Sequence, residues 1–491
     1  MLRIALATFL VAYLLSASSL APAQSTVVLA FYADGQAYIT QRVTDEVPSP
    51  ELAVRLLVGG PTAEEAARGL VSAIPSGTRV LGLIITADGI TIDLSREAAT
   101  DLDELRSEMI FRQFLYTMRQ FGLDANVHVL IEGKAISDYL PPTPSAKYPA
   151  STEIPRPKVG AVGLSGKRIT LSPGHGWFYN GSGWYTQRSG SCGNQPEDFR
   201  NLKLANFLKT FLENDGAYVQ PVREHNENRG NGPSGHPWWQ EAAYVWLRDA
   251  GYSCSVYASY SGVCSYTGTN HSNDDIRSRP LASDLDSRGN TDIYVSIHTN
   301  AYQGDCYGSS CPSGTDVFYM NDGEHAPWGP ASITLAQIIH DDIISAIQQS
   351  GEKRADGVDW GCHGSCSAKY GNFGEIRIPD RPAALVELGF HDSCTTDAPK
   401  MEEPFFQSVA MWGMYNGICR YFGNTPTWGM YSAQYVSDNI PAAMYAGEVR
   451  SVSITFRNKG VLWDSAHGFK LGAVGDSDPF AGTRHSLGSA V

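Results

Sequence analysis

Residues 168–176 read RITLSPGHG, an apolar-alternating run that closes on Pro-Gly-His-Gly. The alternation predicts a strand, and the two glycines allow a tight turn and the close approach of a neighbour. His175 is therefore expected at a strand end, exposed rather than packed in a core. A metal ligand sits in such a place, although a lone loop histidine serves as readily as a surface or capping residue. The rest of the chain decides between these two.

Outward from that strand, the pattern alternates from 167 to about 422. PEDFRNLKLANFLKTFLENDG reads as a helix ending at Gly216, AYVQPVRE as a strand, PWWQEAAYVWLRDAG as a helix and TDIYVSIHTNA as a buried strand. GTDVFYM and RPAALVELGF read as strands, ASITLAQIIHDDIISAIQQSG as a glycine-closed helix, and EPFFQSVAMWGMYNGICRYFG as a final helix. This order predicts an α/β fold with a central mixed or parallel sheet flanked by helices. Ligands in such sheets gather beyond the carboxyl ends of the strands.

Three of those strand ends carry His175, His298 and Glu387, and Glu197 falls on the first turn of a helix. Two imidazoles and a carboxylate satisfy a zinc ion that keeps one position open, and a further carboxylate can move a proton from water to a leaving nitrogen. Each residue also has a plainer role. Glu197 suits a helix N-terminus, His298 suits a hydrogen-bonded core, and Glu387 suits pairing with Arg377 or Arg381. His225, His363 and His391 are further imidazoles that could compete as ligands.

The chain has 491 residues, 42% hydrophobic and 11% aromatic, with a formal charge of −14. That length suggests about three domains, and the charge argues against nucleic acid as the main partner. MLRIALATFLVAYLLSASSLAPAQ follows the signal-peptide pattern, with cleavage expected near Ala23 and residues 1–23 removed. The mature protein is thus expected to be secreted or extracytoplasmic, with no stable membrane span. Nine cysteines, at 192, 254, 264, 306, 311, 362, 366, 394 and 419, all follow residue 190. Export favours disulfides, with Cys254/Cys264, Cys306/Cys311 and Cys362/Cys366 as candidate local staples and at least one thiol left over. CHGSC at 362–366 could instead hold a metal, but lacks a second pair at finger spacing.

Residues 26–140 alternate strands turning at Asp-Gly with amphipathic helices, which predicts a small α+β domain with an antiparallel or mixed sheet. Its one histidine, His128, is expected buried in a strand, its acidic residues form a solvated face, and no catalytic constellation is evident. Residues 141–166 begin with PPTPSAKYPASTEIPRPKVG, a proline-rich extended spacer. From 426 to 491 short alternating strands suggest a partial β-sandwich, since about 65 residues fall short of the roughly 100 of a complete one.

The motifs ITLSPGHG, PEDFRNLKLANFLKTFLENDGAYVQPVRE, DIRSRPLASDLDSRGNTDIYVSIHTNA, GTDVFY and FGEIRIPDRPAALVELGFHDS stand in one order. In these, 167–422 resembles the zinc-dependent N-acetylmuramoyl-L-alanine amidases of amidase family 3. The resemblance implies Zn2+ held by His175, Glu197 and His298, Glu387 as catalytic residue, and peptidoglycan as substrate. FYADGQ, VRLLVGGPTAEEAARGLVSAIPSGTRV, ITIDLS, RQFLYTMRQFG and NVHVLIEGK give 26–140 a resemblance to the GerMN domain of sporulation and germination proteins, implying a non-catalytic envelope module. PAAMYAGEVRSVSITFRNKGVLW resembles an immunoglobulin-like bacterial surface module.

The chain departs from the amidase pattern in the bulky aromatic stretch 179–195, in VREHNEN, in a long insertion at roughly 225–275 and in HDSC after the catalytic strand. These leave the metal site intact and bear on substrate preference. The rivals are another secreted zinc peptidase or carboxypeptidase on the same scaffold, and an inactive wall-binding or spore-associated protein.

Overall fold

The computed structural model describes residues 25–33, 35–87, 89–156, 160–302, 304–472 and 484–491; the signal-peptide reading falls outside them. Among the described residues, fourteen strands precede the last helix. In the N-terminal domain they are β1 (Ser25–Ala33), β2 (Gln36–Thr44), β3 (Val80–Ile85), β4 (Gly89–Leu94), β5 (Asn126–Ile131) and β6 (Lys134–Ala135). The remaining eight are β7 (Arg168–Pro173), β8 (Trp177–Tyr179), β9 (Trp184–Thr186), β10 (Tyr218–Pro221), β11 (Ile293–Asn300), β12 (Asp316–Tyr319), β13 (Lys369–Tyr370) and β14 (Ala383–Phe390).

A six-stranded sheet in the order β10-β7-β11-β14-β12-β13 organises the second domain. β10, β7, β11 and β14 run parallel, while β12 is antiparallel to β14. Every residue of β11 and β14 is buried, as expected of central parallel strands covered on both faces. Ile169 and Leu171 enter the main apolar core with α4 (Glu197–Asn214), α8 (Gly329–Ser350) and α11 (Pro404–Tyr421). The alternate residues Ser172 and Ser296, together with Tyr294, turn to the other face and donate hydroxyl hydrogen bonds to Glu375 of α9 (Gly374–Arg377). A smaller apolar cluster there joins α5 (Ala243–Asp249), α6 (Cys254–Tyr257) and α7 (Ser272–Leu285). α8 ends at Gly351, whose φ of 83° closes the helix as its sequence predicts.

In the N-terminal domain β1 and β2 form a hairpin, and β3-β4-β5-β6 a mixed sheet with β4 and β5 parallel. α1 (Pro50–Val58), the short α2 (Ala63–Ala67) and α3 (Glu104–Met118) complete it, with Asp103 capping α3. α3 is buried along most of its length because it lies between this domain and the next. Two expectations change accordingly. Glu104, Glu108 and Asp124 do not lie on a solvated face: Glu104 pairs with Arg277 and Arg377, Glu108 accepts from the Gly374 N–H, and Asp124 pairs with Lys369 at 2.7 Å. His128 is half-buried and stacks against Tyr370 of the second domain, 4.0 Å between ring centroids.

Residues 141–156 of the proline-rich segment lie outside any helix or strand and are docked along the second domain. The Lys147 N–H and Ala150 N–H donate to the carbonyls of Asp284 and Asp380, and Arg381 donates to Tyr148. Disulfides join Cys254–Cys264, Cys306–Cys311, Cys362–Cys366 and Cys192–Cys394, leaving Cys419 as a buried free thiol. CHGSC is thus closed by a disulfide rather than arranged as a metal site. After α10 (Asp397–Met401) and α11, two antiparallel pairs follow: β15 (Ala433–Asp438) with β16 (Ile454–Asn458), and β17 (Lys470–Leu471) with β18 (His485–Ser486).

Candidate metal and catalytic site

The Pro-Gly-His-Gly turn is built around the ring of His298. A Cβ on Gly174 would lie 2.0 Å from the His298 Cε1 atom, so only glycine fits there. His175 takes a φ of +66°, an unusual conformation for a residue with a Cβ and one that collects at functional sites. Gly176, at φ +135°, passes so close to the Ala242 backbone that a Cβ would meet it at 2.6 Å. Arg223, fully buried, donates to the carbonyls of Gly174, Asp198, Trp239 and Glu241 and so anchors the turn to α4 and to the insertion.

Parallel register brings the other residues to the same end of the sheet. Ile297 of β11 pairs with Pro173 of β7, and His298 pairs with Glu387 of β14. Glu197 opens α4 behind Pro196, and its Oε1 accepts from the Thr299 N–H at 3.2 Å and the Asn201 side-chain amide at 3.1 Å. The Glu197 Oε1 lies 3.4 Å from His175 Nε2 and 3.0 Å from His298 Nδ1. One ligand atom from each of His175, Glu197 and His298 falls within 4.8 Å of the others, so this donor set fits a zinc-type ion.

Neighbours fix the orientation of both imidazoles. His175 Nδ1 lies 3.0 Å from Gln187 Oε1, which leaves Nε2 facing Glu197. His298 Nε2 lies 2.9 Å from Glu375 Oε1, which leaves Nδ1 facing Glu197. A carboxylate behind a histidine in this way orients the ring and raises its basicity toward a metal. Burial and the Arg188 guanidinium lower His175 to about 3, keeping it neutral. Burial opposes a charge on His298, but Glu375 and Glu197 lift it to about 9. Burial would push the Glu197 carboxyl up, yet the imidazoles hold it well below the usual range.

Glu387 is 1% exposed; its Oε1 lies 3.2 Å from Arg112 Nη2, and its Oε2 has no hydrogen-bond partner among the described residues. Burial raises its pKa, with Arg112 opposing and Glu197 adding to the rise. The arginine partner is from the N-terminal domain, since Arg377 is taken by Glu104 and Arg381 by Asp284. The sequence pattern does not single out Arg112, Gln187, Arg223 or Glu375. Glu375 carries the only local signal, an acid inside an otherwise apolar and basic run, FGEIRI. His391 bonds Thr299 and stays 4.0 Å from Glu197, His363 bonds Asp316, and His225 bonds Asn206; none joins the three-ligand set.

The six-stranded mixed sheet thus carries, at the carboxyl edge of its parallel strands, a buried donor set of His175, Glu197 and His298. The chain belongs to the N-acetylmuramoyl-L-alanine amidase family, whose model matches residues 169–420. A second family model, described as sporulation and spore germination, matches residues 29–137. An uncharacterized cell wall amidase of Bacillus anthracis is 31% identical over 159 residues, 30% of this chain and 26% of that protein. The chain's match thus spans about a quarter of the length of that curated relative. Among solved structures, the amidase Ami1 of Mycobacterium abscessus is 17% identical, with TM-score 0.33, 52% of this chain and 99% of that one covered. The CwlD amidase of Clostridioides difficile, solved in complex with the GerS lipoprotein, is 16% identical, with TM-score 0.32 and 52% and 98% covered.

Proposed function

We propose that this chain is a zinc-dependent, extracytoplasmic amidase that cleaves the bond between the lactyl group of N-acetylmuramic acid and the L-alanine of the peptidoglycan stem peptide. The observation that carries the reading is the convergence of His175, Glu197 and His298 beside Glu387, inside the segment that the amidase family matches. No helix among the described residues is long and apolar enough to cross a membrane.

His175 Nε2, Glu197 Oε1 and His298 Nδ1 would hold the ion, with Gln187 and Glu375 fixing the two rings. When bound, zinc acidifies water and polarises the amide carbonyl. Glu387 takes a proton from the attacking water on its unpartnered Oε2, and the upward push of burial on its pKa suits a group that must both accept and return a proton. The same carboxyl then passes the proton to the stem-peptide nitrogen as the C–N bond breaks, leaving a lactyl carboxylic acid and a free amine. His298, beside Glu387 in the ladder of neighbouring strands, would hold the metal next to the base.

Metal analysis and digestion of purified peptidoglycan test this with wild type, His175→Ala and Glu387→Ala. The reading expects about one zinc per chain in wild type and Glu387→Ala, loss of zinc in His175→Ala, and a fall in stem-peptide release of about 10²–10⁴-fold in Glu387→Ala. A wild-type chain that binds no zinc contradicts it. Zinc retained with release of only a carboxyl-terminal residue would assign a peptidase instead.

A further inference from the structure

The N-terminal domain sits on the catalytic end of the sheet, and its α3 reaches the base itself. Arg112 pairs with Glu387, and one turn on, the Tyr116 hydroxyl donates to Asn300 at the end of β11 at 3.0 Å. Arg119 pairs with Asp316 at 3.0 Å, and at the other end of α3 Glu104 pairs with Arg277 and Arg377. Phe111 inserts edge-on against Tyr370 and Phe373. From β2, Gln36 contacts Ser189 in the aromatic stretch 179–195.

What this leaves open is small. The space between Arg112, Tyr32, Tyr116, Arg188 and Glu387 measures about 40 Å³, and the space between Arg112, His175, His298 and Glu375 about 20 Å³. A site that encloses a small organic ligand usually offers roughly 300–1,000 Å³. A muramyl peptide does not fit in either space.

We infer that the N-terminal domain is a latch that occupies the substrate cleft in cis, with Arg112 clamped on Glu387, and that the wall polymer enters only when α3 withdraws. The inference rests on the amidase reading for the identity of what is excluded. Beside the Phe111 contacts, the interface carries the ion pairs Arg112–Glu387, Arg119–Asp316, Lys369–Asp124 and Glu104 with Arg277 and Arg377, which suit a separable latch. Such pairs recover solvation when parted, and buried ones contribute little net stability over an apolar interface. Arg112 also competes with any hydrogen-bond donor, water included, for the Glu387 Oε1.

Two full-length variants outside the catalytic residues test it. Glu104→Lys places a cation against Arg277 and Arg377 and loosens the latch. The pair Ser107→Cys with Asn372→Cys replaces a 3.0 Å interdomain hydrogen bond by a disulfide and locks it. The readouts are amide hydrogen exchange over 104–118 and stem-peptide release from purified peptidoglycan. The latch predicts faster exchange and about a tenfold rise in release for Glu104→Lys, since activity scales with the open fraction. It predicts slower exchange and near-complete loss of release for the cross-linked pair, with each single cysteine variant at the wild-type level. Full activity in the cross-linked protein, or lower release from a folded Glu104→Lys protein, overturns the latch. Exchange that follows the predicted order while no variant releases stem peptide leaves the latch standing and refutes the amidase reading.

Discussion

His298 and Glu387 face one another as register partners across the parallel ladder of β11 and β14. One strand pair therefore fixes both the proposed metal ligand and the proposed proton carrier, and their separation follows from the sheet rather than from loop geometry. His175 and Glu197 are then brought in by a glycine turn and a helix start, the two places where the chain has departed from simple packing.

Gly174→Ala is expected to disable this site selectively. Its Cβ would meet three atoms of the His298 ring at 2.0–2.5 Å, and the ring is held between Glu197 and Glu375. Such overpacking costs about 1–3 kcal/mol, so the variant folds with lower stability and loses metal affinity. Isothermal titration with zinc, against a Gly230→Ala control where a Cβ meets nothing within 4 Å, reads the difference.

Glu375→Gln keeps the shape behind His298 but removes the charge. Zinc affinity is expected to fall about 10–100-fold, as for other groups that orient a ligating histidine. The apparent pKa governing zinc uptake should also move, because Glu375 now lifts His298 to about 9. Zinc binding measured across pH separates this from a general loss of stability, which would leave the profile's midpoint in place.

Acid sensitivity has a identifiable source outside the site. His325 is fully buried, its Nδ1 2.9 Å from the Pro379 carbonyl and its Nε2 2.9 Å from the Ser332 hydroxyl. Burial lowers it to about 4, against about 6.5 in the unfolded chain. The neutral ring supports the fold above about pH 6.5; as pH falls, the unfolded chain takes up the proton first. Stability is lost between about 6.5 and 4, by up to about 3 kcal/mol. Tm measured from pH 7 to pH 4 should fall less steeply in His325→Gln than in wild type.

Cys419 should be silent to thiol reagents in the native protein. It is buried on α11, and burial beside Asp215 pushes its thiol well above the ordinary range, which suppresses the reactive thiolate. Labelling with a maleimide is expected to modify no cysteine in the native chain and one after unfolding without reductant. Two or more labelled sites would contradict the four disulfides.

Much of the site is legible in the sequence because three of its four residues sit toward the carboxyl end of a strand pattern and Glu197 sits where a helix pattern starts. RITLSPGHG, IYVSIHTN and ALVELGF are strand patterns that carry a histidine or a glutamate toward the carboxyl end, and parallel strands bring such ends together. The antiparallel direction of β12 is not legible, since a four-residue buried run reads alike both ways. Nor is the Arg112 to Glu387 pair, which spans 275 residues and joins two domains. α3 reads as an amphipathic helix with a polar face, and nothing local tells a solvated arginine from one that enters a neighbour's cleft. The acids Glu104 and Glu108 mislead for the same reason: their partners lie on another domain.

The most direct test of the central claim is mass spectrometry of the products that the zinc-loaded full chain releases from purified peptidoglycan. The account predicts stem peptides with a free amino-terminal L-alanine, and glycan strands that keep an intact lactyl carboxyl. Peptides shortened at the carboxyl end, or no product from either wild type or the Glu104→Lys protein, would contradict it.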